Sequence, residues 1–304
     1  MRFTVAAAAI LATLSSAASA TTTGGAPTPA GSPPAPPSAT GSPATPAPSA
    51  GTLGLVSAST SPRKSFYFGF RSPSLRFEIE STQQQNDLRI DVVDETGEVV
   101  RTYYRNDVAP HTTVGIRWDG TTLDRRPAPN GHYSFRIGAQ GASRVVAHRA
   151  SSSVAPLSLG FEFYGYEFPI LGPHNYGGAE GRFGAPRSGH THQGQDVMAA
   201  CGLPLVAARG GQVQYSGFEG AAGNYIVIDG KGTSYDMAYM HLASPSPLHT
   251  GEMVRTGQPI GIVGDTGDAT ACHLHFEIWT APGWYQGGSP IDPLPFLKKW
   301  DAYS

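Results

Sequence analysis

Cysteine is scarce. The 304-residue chain has two, Cys201 and Cys272, so at most one bridge can form within it. Charge is scarce too, at 14% of residues, with 21 basic against 23 acidic side chains and a formal net charge of −2. That balance gives no electrostatic handle for nucleic acid or an anionic membrane surface. Past the first twenty residues no apolar run is long enough for a transmembrane helix. No HExxH stretch occurs, which argues against a helix-borne zinc site with a glutamate base. What abounds is glycine (38) and proline (26), a composition of β-rich, loop-rich domains rather than helix bundles. The length suffices for two domains.

The N-terminus has the pattern of a secretory signal peptide over residues 1–20. Arg2 is its positive region, an apolar run extends from Phe3 to Leu14, and Ala18-Ser19-Ala20 offers small residues for cleavage. No cysteine follows the run, which argues against a lipid anchor there. Residues 21–62 are almost wholly Ala, Pro, Thr, Ser and Gly. Such a segment cannot bury a core and reads as a disordered linker, a spacer or a tether through a cell wall.

A first folded domain is expected over residues 63–150. Arg76-Phe77-Glu78-Ile79-Glu80 alternates, and Leu88, Ile90 and Val92 repeat the pattern. Glu95-Thr96-Gly97-Glu98 is a turn leading to Val99 and Val100, and Gly115–Trp118 and Tyr133–Ile137 are further strands. Short strands at this spacing indicate a β-sandwich. "WDG" at Trp118–Gly120 followed by "APNGHYSFRI" at Ala128–Ile137 resembles the Ig-like domain of flagellar hook-capping proteins. His111 and His132 stand alone here, so this domain is expected to position or bind rather than react.

The chemistry is expected in residues 157–304. "HQGQD" places His192 and Asp196 four apart in an extended segment, where both can face one atom. Tyr235, Met237, Tyr239 and His241 alternate along "YDMAYMHL", after a hairpin at Asp229–Gly232. In "ACHLHFEI", His273, His275 and Glu277 share one face of a strand, and Leu274, Phe276 and Ile278 the other. Zinc takes imidazole nitrogen and carboxylate oxygen in tetrahedral geometry, and a catalytic site uses three protein ligands with one position open. His192, Asp196 and one of His273 and His275 would supply the three. His190 is an alternative to His192, and His174 in "GPHNYGG" is expected on a loop rimming the groove.

H-x(3)-D, a histidine after a strand tyrosine, and H-x-H in this order resemble the lysostaphin-type zinc endopeptidases of peptidoglycan. "RSGHTHQGQDVMAACGLPLVAARGGQV" from Arg187 and "GQPIGIVGDTGDATACHLHFEIW" from Gly257 extend the likeness over Phe168–Trp279. The resemblance implies a small, mainly antiparallel β-sheet with a metal groove. It implies one Zn²⁺ per chain on His192, Asp196 and His275. His241 and His273 match the catalytic histidines that are not ligands, one as base and one as oxyanion stabiliser, in an order left open. Glu277 is expected in a supporting role.

The fold class is therefore mainly β: an Ig-like sandwich followed by an antiparallel metallopeptidase domain. The function implied is a secreted or wall-associated zinc endopeptidase of peptidoglycan stem peptides or cross-bridges. The alternative is a non-catalytic wall-binding or regulatory module of the same fold. An exported chain meets oxidising conditions, so a Cys201–Cys272 disulfide is expected, pinning the Asp196 and His275 segments together; zinc thiolate ligation is the rival.

Overall fold

The computed structural model describes residues 51–80, 88–139, 142–147 and 159–304. The expected signal peptide, and the linker as far as residue 50, lie outside the described residues. The chain is mainly β, with two sheets of a sandwich followed by a large antiparallel sheet.

The sandwich strands are β1 (Gly51–Ser61), β2 (Lys64–Phe66), β3 (Ser74–Ile79), β4 (Leu88–Asp94), β5 (Val99–Arg105), β6 (Thr113–Arg117), β7 (Gly131–Ala139), β8 (Ala142–Ala147) and β9 (Gly160–Tyr164). One sheet has the order β6-β3-β1-β8 and the other β2-β9-β7-β4-β5. Period-two alternation builds both. Leu75, Phe77 and Ile79 of β3 and Tyr133, Phe135 and Ile137 of β7 are buried between the sheets. Trp118 is fully buried, with its ring 4.7–5.7 Å from those of Tyr133, Phe161 and Phe163. Its indole N–H donates to the Thr121 carbonyl at 2.8 Å. Gly120 follows at φ +79°, and a Cβ there would lie 2.5 Å from the Phe163 ring. The "WDG" corner thus needs both its tryptophan and its glycine.

Two boundaries differ from the sequence reading. β1 lies inside the segment expected as linker. Its composition resembles the tract before it, but Leu53 and Leu55 are buried, and it pairs antiparallel with β3 and parallel with β8. β9, expected in the second domain, pairs with β7 and β2 and sends Phe161 and Phe163 into the sandwich core.

The second domain contains β10 (His174–Asn175), β11 (Gln195–Ala199), β12 (Pro204–Val206), β13 (Gly211–Glu219), β14 (Gly223–Gly230), β15 (Tyr235–Leu242), β16 (Met253–Val254), β17 (Pro259–Ile262), β18 (His273–Thr280), β19 (Pro290–Ile291) and the helix α1 (Leu294–Asp301). The main sheet has the order β10-β11-β18-β15-β14-β13-β16, with β19 on β18; β12 and β17 form a separate pair. Val197, Ile226, Ile228, Met237, Tyr239, Leu274, Phe276 and Ile278 share a core with Leu297 and Trp300 of α1. Covering that face leaves the opposite residues of β18 free to line a groove. Cys201 and Cys272 are joined by a disulfide with Cα atoms 5.3 Å apart.

The domains share a polar seam. Arg209, 2% exposed, donates to the carbonyls of Lys231 and Gly165 and lies 4.1 Å from the Tyr67 ring. Thr256 donates to the Tyr67 carbonyl at 2.6 Å, and Tyr164 stacks on Tyr303 with ring centres 3.9 Å apart. Among the described residues no helix is long and apolar enough to cross a membrane.

Candidate metal centre

β11 and β18 pair antiparallel with Asp196 opposite His275. Strand pairing therefore brings together two groups 79 residues apart in sequence. His192 comes from the loop just before β11. Its Nε2 lies 3.1 Å from Asp196 Oδ1 and 2.8 Å from His275 Nδ1, and His275 Nδ1 lies 2.9 Å from the same oxygen. A tetrahedral zinc with bonds of about 2.0 Å needs ligand atoms about 3.3 Å apart. The triangle is a few tenths of an ångström smaller than that, so the donor set fits a zinc ion with minor expansion.

Hydrogen bonds on the far side of each ring set the tautomers. His192 Nδ1–H donates to the Arg182 carbonyl at 2.9 Å, which leaves Nε2 as the lone-pair atom. His275 Nε2–H donates to Glu277 Oε1 at 3.0 Å, which leaves Nδ1. Glu277 is 3% exposed and also accepts from Trp279 Nε1 at 2.7 Å. A carboxylate behind a ligand imidazole fixes the ring and raises its basicity. Gly194 makes the close approach possible: a Cβ there would lie 2.7 Å from His275 Nε2 and 2.5 Å from the Phe276 carbonyl.

The charges are coupled. Burial opposes ionisation of Asp196, but in the metal-free site the His192 and His275 rings beside it, when they carry a proton on the facing nitrogen, outweigh it and hold the carboxyl far below the ordinary range. Burial opposes protonation of His275, but Asp196 and Glu277 overcome it and raise its pKa to about 9. His241 goes the other way. Burial lowers it to about 4, despite a hydrogen bond of 2.8 Å from Nδ1–H to the Thr266 carbonyl. Its Nε2 is consequently an unprotonated acceptor at neutral pH.

His241 reaches the groove by a route the alternation does not foretell. Met237 and Tyr239 point into the core, and a regular strand would send His241 after them. The β14–β15 register shifts between Asn224 and Ile226, and His241 has φ +62°. This bulge with a left-handed residue turns the imidazole to the other face. Its ring centre lies 4.7 Å from that of His273 and 5.9 Å from that of His275. His273 Nδ1–H donates to the Ala271 carbonyl at 2.8 Å, and its Nε2 lies 3.6 Å from Asp196 Oδ1.

All five expected site residues therefore line one cleft of about 830 Å³. His190 is exposed on its rim, with Nδ1 on the Ser188 carbonyl. His174 is not at the rim, contrary to expectation. It stacks on Phe168 at 4.1 Å and its Nε2 lies 3.3 Å from Asp301, because β10 carries it to the sheet edge. Glu277 was legible from its strand face. The Arg182 and Thr266 carbonyls were not, since a backbone acceptor leaves no side-chain signature.

Residues 190–293 match the model of peptidase family M23. Residues 68–143, ahead of it, match the model of the FlgD Ig-like domain. Among curated proteins, the chain is 42% identical over 88 residues to the peptidoglycan DD-endopeptidase ShyC of Vibrio cholerae, covering 29% of this chain and 20% of that one. It is 33% identical over 112 residues to lysostaphin of Staphylococcus simulans, covering 36% and 22%. The solved catalytic domain of that lysostaphin aligns at 33% identity over 41% of this chain and 92% of its own, with a TM-score of 0.35. The chain spans about a fifth of the length of the first curated relatives it matches.

Proposed function

We propose that the chain is a secreted or wall-associated zinc endopeptidase, which hydrolyses peptide bonds in peptidoglycan stem peptides or cross-bridges. The observation that carries this reading is the convergence of His192, Asp196 and His275 on one point, with His241 and His273 beside it. In this reading the first three hold one Zn²⁺. When bound, zinc supplies Lewis-acid polarisation and makes water acidic enough to act near neutral pH.

The remaining work falls to the chain's own groups. Glu277 holds the His275 ring with Nδ1 forward. The Arg182 carbonyl holds His192 with Nε2 forward. His241, neutral with a free Nε2, takes the proton of the attacking water and returns it to the leaving amine as the C–N bond breaks. His273 presents Nε2 to the same space, where in its imidazolium form, with Nδ1–H on the Ala271 carbonyl, it donates to the oxygen that gains charge on the substrate carbonyl. The completeness of this set favours a hydrolase over a binding module that keeps only the fold.

The test is digestion of defined muropeptides by the zinc-loaded mature chain, read by mass spectrometry. One new amine and one new carboxyl per cut, abolished by a chelator and restored by zinc, is expected. Stoichiometric zinc with no cleavage of any peptide or wall sample would select the binding module instead.

A further inference from the structure

The groove does not end at the metal cluster. On β18 His275 lies opposite Met240 of β15, and beyond the bulge Tyr225 of β14 lies opposite Gly217 of β13. Tyr225 is thus two strands from His275, about 10 Å away at the ordinary strand spacing. That is about the length of three residues of extended peptide. There the floor becomes aromatic. Tyr215 stacks on Tyr225 with ring centres 4.7 Å apart and planes 22° apart. Trp284 lies 5.9 Å from Tyr215 and 5.7 Å from Tyr225, and Tyr285 meets Trp284 edge-on at 4.8 Å. Tyr285 is 68% exposed and held at φ +49°. The cluster sits outside the main core, in a small group with Val227 and Ala238. Tyr225 is 5% exposed and packs behind, so the rings that face the groove are those of Trp284 and Tyr285, the latter on strained backbone, and they serve a ligand better than they serve packing.

Charge narrows the ligand. Glu219 and Asp268 line this part of the groove, whereas the lining residues Arg187 and His190 belong to the loop before β11, on the other side of the metal cluster. Carboxylates of a stem peptide would be repelled at the aromatic end. A neutral, polyhydroxylated ring suits it. The C–H face of a sugar packs on the negative face of an aromatic ring, and its hydroxyl and acetamido N–H groups donate to the flanking carboxylates.

We infer that the Trp284–Tyr285 edge, backed by the Tyr215–Tyr225 stack, is a saccharide subsite, which holds an N-acetylated sugar of the glycan strand while the attached peptide crosses the metal cluster. This rests on the peptidoglycan reading above and narrows it. The preferred substrate is then a stem still joined to its glycan, cut about three residues from the sugar.

The direct test needs no catalysis. The zinc-loaded chain is titrated with the peptide-free disaccharide N-acetylglucosaminyl-N-acetylmuramic acid, its lactyl carboxyl capped as the methylamide so that the probe is neutral like the stem-linked sugar, by calorimetry and ligand-observed NMR. Binding is expected, and Trp284→Leu should weaken it about tenfold, the order of an aromatic stacking contact. Tyr285→Leu provides a second variant, and zinc content shows that each has kept its fold. In parallel, the kcat/KM ratio of glycan-linked to glycan-free stem should exceed about 10 in the wild type and fall towards 1 in Trp284→Leu. No disaccharide binding at millimolar concentration, or equal binding by folded variants, overturns the subsite. Disaccharide binding without cleavage of any stem peptide leaves the subsite standing and refutes the hydrolase reading.

Discussion

Metal binding at the cluster should be strongly pH-dependent, and the structure sets the scale. In the metal-free site His275 has a pKa raised to about 9, because Asp196 and Glu277 outweigh its burial. A ligand nitrogen must be unprotonated, so below that value the metal displaces a proton from Nδ1. Apparent zinc affinity should rise with pH, by up to tenfold per unit from pH 7 to 9, or about 2.7 kcal/mol in all. The same shift has a consequence for stability. A histidine raised in the folded state stabilises most below its unfolded value near 6.5, and that contribution is lost as pH rises through about 9. Metal-free protein should therefore lose stability from pH 7 to 9, while the zinc-loaded protein, already deprotonated at Nδ1, should not follow the same curve. The assay is competition with a chelating dye at each pH, beside calorimetry in buffers of different ionisation enthalpy to count the proton released. Affinity flat from pH 7 to 9, with no proton released at pH 7, would refute the reasoning.

Glu277→Gln removes the charge behind His275, and zinc affinity measured at pH 9.5, above proton competition, should fall about 10–100-fold; an unchanged affinity would show that the carboxylate does not tune the ligand. The Cys201–Cys272 bridge closes a separation of 71 residues, so Cys201→Ser with Cys272→Ser should cost up to roughly 4 kcal/mol in urea denaturation. A change below 1 kcal/mol would show that the bridge adds little. Arg209→Ala strands the Lys231 and Gly165 carbonyls at the seam and should cost about 2–4 kcal/mol by the same method. A loss within 0.5 kcal/mol would mean that the seam is solvated.

Much of the site was legible because its residues lie on regular strands. His273, His275 and Glu277 on one face of β18, with Leu274, Phe276 and Ile278 on the other, follow from the period of two alone. His192 and Asp196 of H-x(3)-D come together for a different reason: Asp196 is fixed by β11 and His192 by the loop that Gly194 allows to pass so close. His241 shows the limit. Alternation names it but gives it the wrong face, because nothing in "YMHL" marks the bulge and positive φ that turn it. The sandwich core was legible where large apolar residues alternate, as in β3, β4 and β7. β1 was not, since Leu53 and Leu55 stand among Gly, Ser, Ala and Thr much like those of the preceding tract. β9 was misplaced because Phe161 and Phe163 say that a strand is buried without saying in which domain.

The most direct measurement is zinc content beside the rate of amine release from a defined muropeptide, for purified and folded His275→Ala, His273→Ala and His241→Ala. His275→Ala should lose both zinc and turnover. His273→Ala and His241→Ala should keep zinc and lose about 10²–10⁴-fold in rate, the usual contribution of proton transfer. If His273→Ala sheds the metal while His275→Ala retains it, or if all three cleave as fast as the wild type, the assignment of one histidine to zinc and its neighbours to chemistry is wrong.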